Sequence, residues 1–357
     1  MEIGIVGLRS SGKTTLFNLL TGLEEQTGGY STQSHQGIAR VPDGRLDRLS
    51  ALFRPRKTTP ATVRYVDVPG LSGDAARGTA LDLPQLRTMD ALMVVLRGFD
   101  QAEVTAAEGE PDPLRDLETI EAEFLISDQL VVEKRLERLE KDIRKRKAPE
   151  LLAERDLLTR CLQALEAERP LREEPFTDEE RKLLRGFTFL SLKPILVVLN
   201  AAEDAVAGDP FAGGGWAAWR ERAGVELTAV SAALEGELAG LEPDEAAAFM
   251  EEMGLAEPAL ERVLAASFRL LGLVSFFTVG EDECRAWPVR EGTPAVEAAG
   301  VIHSDIQRGF IRAEVVRWDE LLAEGSLAAC RQKGMLRLEG KTYTVQDGDV
   351  IHFRFNV

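Results

Sequence analysis

Eight consecutive residues, Gly7-Leu8-Arg9-Ser10-Ser11-Gly12-Lys13-Thr14, fit G-x-x-x-x-G-K-[ST], and they lie where that pattern has a mechanism, between an apolar strand-like run and a helix-like run. Glycines let successive backbone N–H groups wrap a phosphate chain, and the start of the following helix adds partial positive charge. A lysine at position 13 neutralises the β- and γ-phosphates, and a hydroxyl at position 14 reaches Mg²⁺. The candidate phosphate-binding set is therefore Gly7, Arg9, Ser10, Ser11, Gly12, Lys13, Thr14 and Thr15. Leu16, Leu19, Leu20 and Leu23 are expected to form the buried stripe of that helix, with Gly22 near its end.

Three further signals follow in a fixed order. Asp67-Val68-Pro69-Gly70 closes a strand candidate and fits D-x-x-G, in which the carboxylate holds the metal shell and the glycine N–H senses the γ-phosphate. The next residue is Leu71, where many GTPases carry a glutamine that orients water. Asn200 ends an apolar run with Glu203 three residues later, giving N-x-x-E where guanine-specific proteins carry N-K-x-D. The aspartate of that motif pairs with guanine N1–H and N2, so a site without it favours adenine. Ser231-Ala232-Ala233 resembles the short S-A-x loop whose N–H groups line the base pocket, and among Ser31, Thr32 and Ser34 the candidate for completing the Mg²⁺ shell is Thr32. Catalytic candidates are Lys13, Asp67 and Gly70, metal candidates Thr14, Thr32 and Asp67, and base-site candidates Asn200, Glu203, Ser231, Ala232 and Ala233.

These residues need a mainly parallel sheet flanked by helices. Its strand candidates are Ile3 to Val6, Thr62 to Asp67, Ala91 to Leu96, Ile195 to Leu199 and Val225 to Val230. Roughly a hundred residues separate the third from the fourth, far more than one crossover requires. The intervening segment, about Asp112 to Gly186, carries two apolar stripes, Leu125, Val132, Leu136, Leu139 and Ile143, then Leu151, Leu158, Leu162 and Leu165. Between them lies RKRKAPE, whose Pro149 stops a continuing helix, so the spacing predicts an antiparallel helical hairpin projecting as an arm. After about Leu273 the chain turns to short alternating runs with the turn Asp347-Gly348-Asp349, as in a compact strand-rich module. The fold class expected is α/β, with a P-loop domain over 1–111 and 187–272, a helical insertion over 112–186 and a β-rich module over 273–357.

Composition narrows the partners. Across 357 residues 44% are hydrophobic, enough for packed cores, and the net charge of -17 repels polyanions from the molecule as a whole. One local exception lies in the arm, where Lys134, Arg135, Arg138, Lys141, Arg144, Lys145, Arg146 and Lys147 interleave with Glu133, Glu137, Glu140 and Asp142. That stretch reads either as a solvated face laced with i,i+4 pairs or as an RNA contact. Cys161, Cys284 and Cys330 have no metal-ligand spacing and are expected to be free thiols in a cytoplasmic protein. MEIGIV leaves no room for a secretory leader, and no membrane-spanning run is expected.

The P-loop with TTLFNLLTG, then VPDGRLDRLSALFRP, PATVRYVDVPGL, the N-x-x-E variant, AAGVIHSDIQRGFIRAEVV and DGDVIHFRFNV together resemble the YchF/Obg-like ATPase family. The resemblance implies a G domain, an inserted α-helical coiled coil and a C-terminal TGS domain of β-grasp fold. It further implies a protein that binds ATP, often in preference to GTP, hydrolyses it slowly with Mg²⁺ and associates with ribosomes. A monomer without membrane contact is the expectation. The family's P-loop usually reads G-L-P-N-V-G-K-S, whereas Arg9 and Ser10 stand here for the Pro and Asn, so no stimulation by potassium is expected. The second switch is diluted to GLSGDAARGTALD, the first is shortened around Tyr30 to Gln36, and the family's usual histidine is missing from the loop Asp100 to Asp112.

Overall fold

The computed structural model describes residues 1–25, 34–68, 83–206, 208–255 and 257–356. Among them the strands, in chain order, are β1 (Glu2–Val6), β2 (His35–Val41), β3 (Lys57–Thr59), β4 (Ala61–Asp67), β5 (Ala91–Gly98), β6 (Ile195–Ala201), β7 (Val225–Val230), β8 (Leu273–Thr278), β9 (Glu283–Arg290), β10 (Phe310–Arg317), β11 (Arg337–Glu339) and β12 (Asp349–Phe355). Two compact units result, 1–37 with 64–266, and 38–63 with 267–357.

The first sheet has the order β2-β4-β1-β5-β6-β7, and β1, β4, β5, β6 and β7 pair in parallel. β5 and β6 are buried almost end to end, which explains their unbroken apolar runs: a parallel strand covered on both faces has no solvent side to alternate toward. All five strand candidates are present. β2 and β3 are additional, and β2 places Ser34 and His35 at and beside a strand start rather than within a loop. The helix after β1 spans Lys13–Thr21 and ends at Gly22, whose φ of 68° is left-handed. Its buried face is Leu16, Phe17 and Leu20; Leu23 lies beyond the end and is 39% exposed, so it does not extend the expected stripe.

The arm is a hairpin of helices Pro113–Lys145 and Pro149–Glu166. Asp112 caps the first by accepting from Arg115 N–H, and each helix opens on a proline at a position where the missing N–H costs nothing. All nine leucine, valine and isoleucine positions of the two predicted stripes meet in one cluster with Cys161 and Ala164. Burying each large side chain contributes about 1.5–3 kcal/mol, and Leu158→Ala would cost about 2–5 kcal/mol. The root of the first helix belongs instead to the core under the sheet, through Leu117, Ile120 and Phe124. In the basic stretch the close pair is bidentate and crosses the hairpin, from Arg135 to Glu154 at 2.7 and 2.8 Å, rather than running i,i+4.

In the second unit the strands order as β11-β10-β12-β8-β9-β3, with β12 and β8 parallel and the hairpin β8–β9 and the pair β10–β11 antiparallel. Helix Ala295–Ile302 crosses one face and buries Ala295, Ala298 and Ala299 against Phe276, Phe310, Val315 and Phe353. Five strands with the later antiparallel pair separated from the hairpin β8–β9 by the last strand form a β-grasp. The residues 38–63 join this unit: β3 adds to β9 in parallel, and Arg45, on helix Gly44–Phe53, bonds both Asp43 and Asp347. All three cysteines are free and buried.

Candidate nucleotide site

The residues with chemistry gather at the carboxyl ends of the parallel strands, the edge where open α/β sheets bind ligands. After β1 the chain adopts left-handed conformations at Ser10 (φ 59°) and Gly12 (φ 88°). Such alternation turns consecutive N–H groups toward one point and forms an anion nest, completed by the N-terminus of helix Lys13–Thr21. Glycine is required twice: a Cβ on Gly7 would stand 2.3 Å from Val95 O, and one on Gly12 would stand 2.3 Å from Asn200 Nδ2. Lys13 folds back so that Nζ donates to Leu8 O at 3.2 Å. Burial pulls its pKa below the usual 10.5, and Asp67 draws it back up.

Thr14 Oγ1 donates to Asp67 Oδ2 at 2.8 Å, joining the helix after β1 to the end of β4. Asp67 is buried, and its other oxygen, Oδ1, has no hydrogen-bond partner among the described residues. Burial pushes the carboxyl above its ordinary 3.8, while the Thr14 hydroxyl, Lys13 and His35 pull the other way. A buried carboxylate with half its acceptor capacity open, beside a hydroxyl and a lysine, fits a hard cation with oxygen ligands. Among the described residues no group of three His, Cys, Asp or Glu could hold a metal alone. The donor set therefore suits Mg²⁺ shared with phosphate oxygens, Thr14 and Asp67 being the side chains that would hold it. Thr32, Gly70 and Leu71 lie outside the described residues.

At the other end of the site Asn200 is 4% exposed, and both ends of its amide are engaged. Nδ2 donates to Ser11 O at 3.1 Å and Oδ1 accepts from Ala232 N–H at 3.0 Å. Asn200 is thus a brace that fixes the P-loop against the S-A-x loop. Ser231 caps helix Ala232–Ala239 by accepting from Leu234 N–H, which leaves Ala232 and Ala233 in its first turn. Glu203 is exposed and opens the short helix Glu203–Val206. Arg9 is exposed, Ser10 and Thr15 half-buried, and Ser11 buried, its Oγ without a hydrogen-bond partner among the described residues. Arg97, at the end of β5, is outside the sequence candidates and is buried; a lone charge closing the run ALMVVL marks it in the sequence.

A parallel sheet with a P-loop, a strand-end aspartate bonded to the P-loop threonine and an asparagine brace defines a G domain of the P-loop GTPase class. It carries here a helical insertion and a C-terminal β-grasp domain. A family model described as a 50S ribosome-binding GTPase matches residues 2–135, and the YchF-GTPase_C model, described as a protein of unknown function, matches residues 273–356. Ribosome-binding ATPase YchF of Bacillus subtilis (strain 168) is 43% identical over 366 residues, covering 100% of both chains. Obg-like ATPase 1 of Caenorhabditis elegans is 36% identical, over 100% of this chain and 92% of its own. The solved YchF GTPase of Schizosaccharomyces pombe superposes with a TM-score of 0.85 at 29% identity, over 99% of this chain and 97% of that one. The chain belongs to the YchF family of Obg-like ATPases. Among the described residues no helix is long and apolar enough to cross a membrane.

Proposed function

We propose that this chain binds a Mg²⁺-purine nucleotide at the P-loop edge, hydrolyses ATP in preference to GTP, and uses the bound state as a switch on the ribosome. The observation that carries the reading is the Thr14–Asp67 pair, with its empty Oδ1 beside Lys13 and the nest of N–H groups. Relatives named as ribosome-binding ATPases support the activity and the partner. In this reading Lys13 and the P-loop N–H groups stabilise charge on the phosphates, Thr14, Asp67 and Thr32 hold the metal, and Gly70 senses the γ-phosphate. Asn200, with Glu203 and the 231–233 loop, frames the purine. With Leu71 in place of a glutamine, turnover without a partner is on the order of 10⁻⁴ to 10⁻² s⁻¹.

The three-part division is part of the proposal: a G domain over 1–111 and 187–272, a helical arm over 112–186 and a TGS domain over 273–357, in a cytoplasmic monomer. The arm supplies an RNA-facing tip, because Lys141, Arg144, Lys145, Arg146 and Lys147 are exposed around the hairpin turn. Neutralising Lys145, Arg146 and Lys147 together should weaken ribosome binding and flatten its salt dependence; an unchanged slope returns the tip to a merely solvated surface. The deciding experiment on the site is equilibrium binding of fluorescent ATP and GTP analogues with Mg²⁺ to the wild type, Lys13→Ala and Asn200→Ala. Tight ATP binding that both variants lose is expected. GTP preference would overturn the reading of N-x-x-E, and binding of neither nucleotide would overturn the site.

A further inference from the structure

We infer that Arg97 reads the nucleoside part of the bound nucleotide, donating from its free guanidinium nitrogen to an acceptor on the ribose or purine; this rests on the nucleotide-binding reading. β5 is apolar through Leu96 and then places Arg97 at its carboxyl edge, where the side chain is 5% exposed. A charge so deep is costly unless something compensates it. The other buried arginine, Arg172, is paired with Glu121, and the half-buried Arg222 and Arg87 with Glu121 and Asp128. Arg97 has no carboxylate within ion-pair distance among the described residues. Its Nη2 donates to Gly109 O, and its Nη1 is buried with no hydrogen-bond partner among the described residues.

Position says what the missing acceptor belongs to. Arg97 is the register partner of Asn200, and Leu96 of Leu199, in the parallel pair β5–β6. Leu96 and Leu199 enter the core beneath the sheet, so by strand alternation Arg97 and Asn200 share the opposite face. Asn200 is the residue that ties the P-loop to Ala232 of the S-A-x loop, so Arg97 stands level with that brace, which the proposed function assigns to the base end of the site. The guanidinium is held in place: Gly109 adopts φ 83° and ψ −179°, a region open essentially to glycine, and its carbonyl engages Nη2 as it closes helix Ala102–Glu108. One terminal guanidinium nitrogen, Nη2, is thereby anchored, and the other, Nη1, remains for the ligand.

The test compares Arg97→Met, Arg97→Lys and the wild type as full-length protein, measuring calorimetric affinities for Mg²⁺-ADP and for Mg²⁺-tripolyphosphate, with melting curves for each variant. Loss of a charge-assisted hydrogen bond to the nucleoside predicts a drop of about 10- to 100-fold for ADP in Arg97→Met, with tripolyphosphate affinity unchanged. Arg97→Lys, which keeps the charge at a shorter reach, should fall between, and it carries the test alone if the methionine variant fails to fold. Equal losses for ADP and tripolyphosphate would mean that Arg97 only supports the fold, and no loss for either would equally overturn the inference. If the wild type binds neither probe, the nucleotide-site reading itself fails, which the wild-type arm alone reveals.

Discussion

Two buried aspartates of the first unit, Asp128 and Asp67, meet the same difficulty and resolve it differently. For both, burial is the largest influence and raises the carboxyl above its usual value. Asp128, at the root of the arm, is surrounded by donors: Arg87 Nη1 at 2.8 Å, Leu190 N–H at 3.1 Å, Ser191 N–H at 2.7 Å and Ser191 Oγ at 2.8 Å. Asp67 has the Thr14 hydroxyl on one oxygen and, among the described residues, no hydrogen-bond partner on the other. A fully engaged buried charge fixes architecture, here locking the arm's first helix to the chain that returns into β6. A half-engaged one is a place for something that the protein does not itself supply.

The largest effect should follow from breaking the complete set. Asp128→Ala takes from Arg87 its only carboxylate among the described residues, leaving it Thr188 O and Ser127 Oγ, and strands two backbone N–H groups, so a loss of about 3–5 kcal/mol in urea unfolding is expected. Asp128→Asn should also be costly, because its amide NH₂ must face donors. A loss below about 1 kcal/mol for the alanine variant would show that the network is not what holds the arm. Next is Asn200→Ala, which orphans Ser11 O and Ala232 N–H at the cost of about 2–3 kcal/mol and loosens the P-loop. Full stability in that variant, with unchanged nucleotide affinity, would remove the brace from the account.

Asp67→Ala should behave in the opposite sense to Asp128→Ala. Removing an under-compensated carboxylate should leave stability within about 1 kcal/mol of wild type, while Mg²⁺-nucleotide affinity falls by about 10- to 100-fold. Metal binding needs the ionised carboxylate, so protons compete with it, and because burial lifts Asp67 above 3.8 that competition begins at a higher pH than for an exposed aspartate. Wild-type affinity for Mg²⁺-nucleotide should therefore decline as pH is lowered toward that raised value, and Asp67→Ala should lose this dependence. A variant that unfolds like Asp128→Ala would erase the distinction between the two aspartates.

The contrast also marks what the sequence could disclose. The P-loop, the strand-end aspartate and the arm were legible because each is local: a motif of eight residues, a strand end, a leucine stripe at helical spacing. The roles of Asn200 and Asp128 were not, since each is set by partners far along the chain, Ser11 lying 189 residues from Asn200 and Ser191 lying 63 from Asp128. β2 was missed although HQGIARV alternates regularly in burial, because the hydroxyl-rich residues before it suggested a continuing loop. The grouping of 38–63 with the C-terminal residues was hidden for a related reason: an amphipathic helix shows that it has a buried face, and nothing in its own spacing says which core receives it.

The smallest expected effect lies in the nest itself. Ser10 holds φ 59°, a left-handed conformation that costs an ordinary L-residue about 1 kcal/mol, and this strain persists because the turn must aim its N–H groups inward. Asparagine adopts that region more readily without the extra unfolded-state freedom that glycine brings, so Ser10→Asn should stabilise the ligand-free chain by about 0.5 kcal/mol. Ser10→Val, β-branched, should lose about 1 kcal/mol and weaken nucleotide binding with it. Thermal unfolding with and without Mg²⁺-ADP separates the two contributions, since strain relief appears in both conditions and a nest defect only when ligand is present. A valine variant as stable and as tight-binding as wild type would mean that the left-handed turn at Ser10 is not needed for the cradle, leaving the anion to Lys13 and the helix N-terminus.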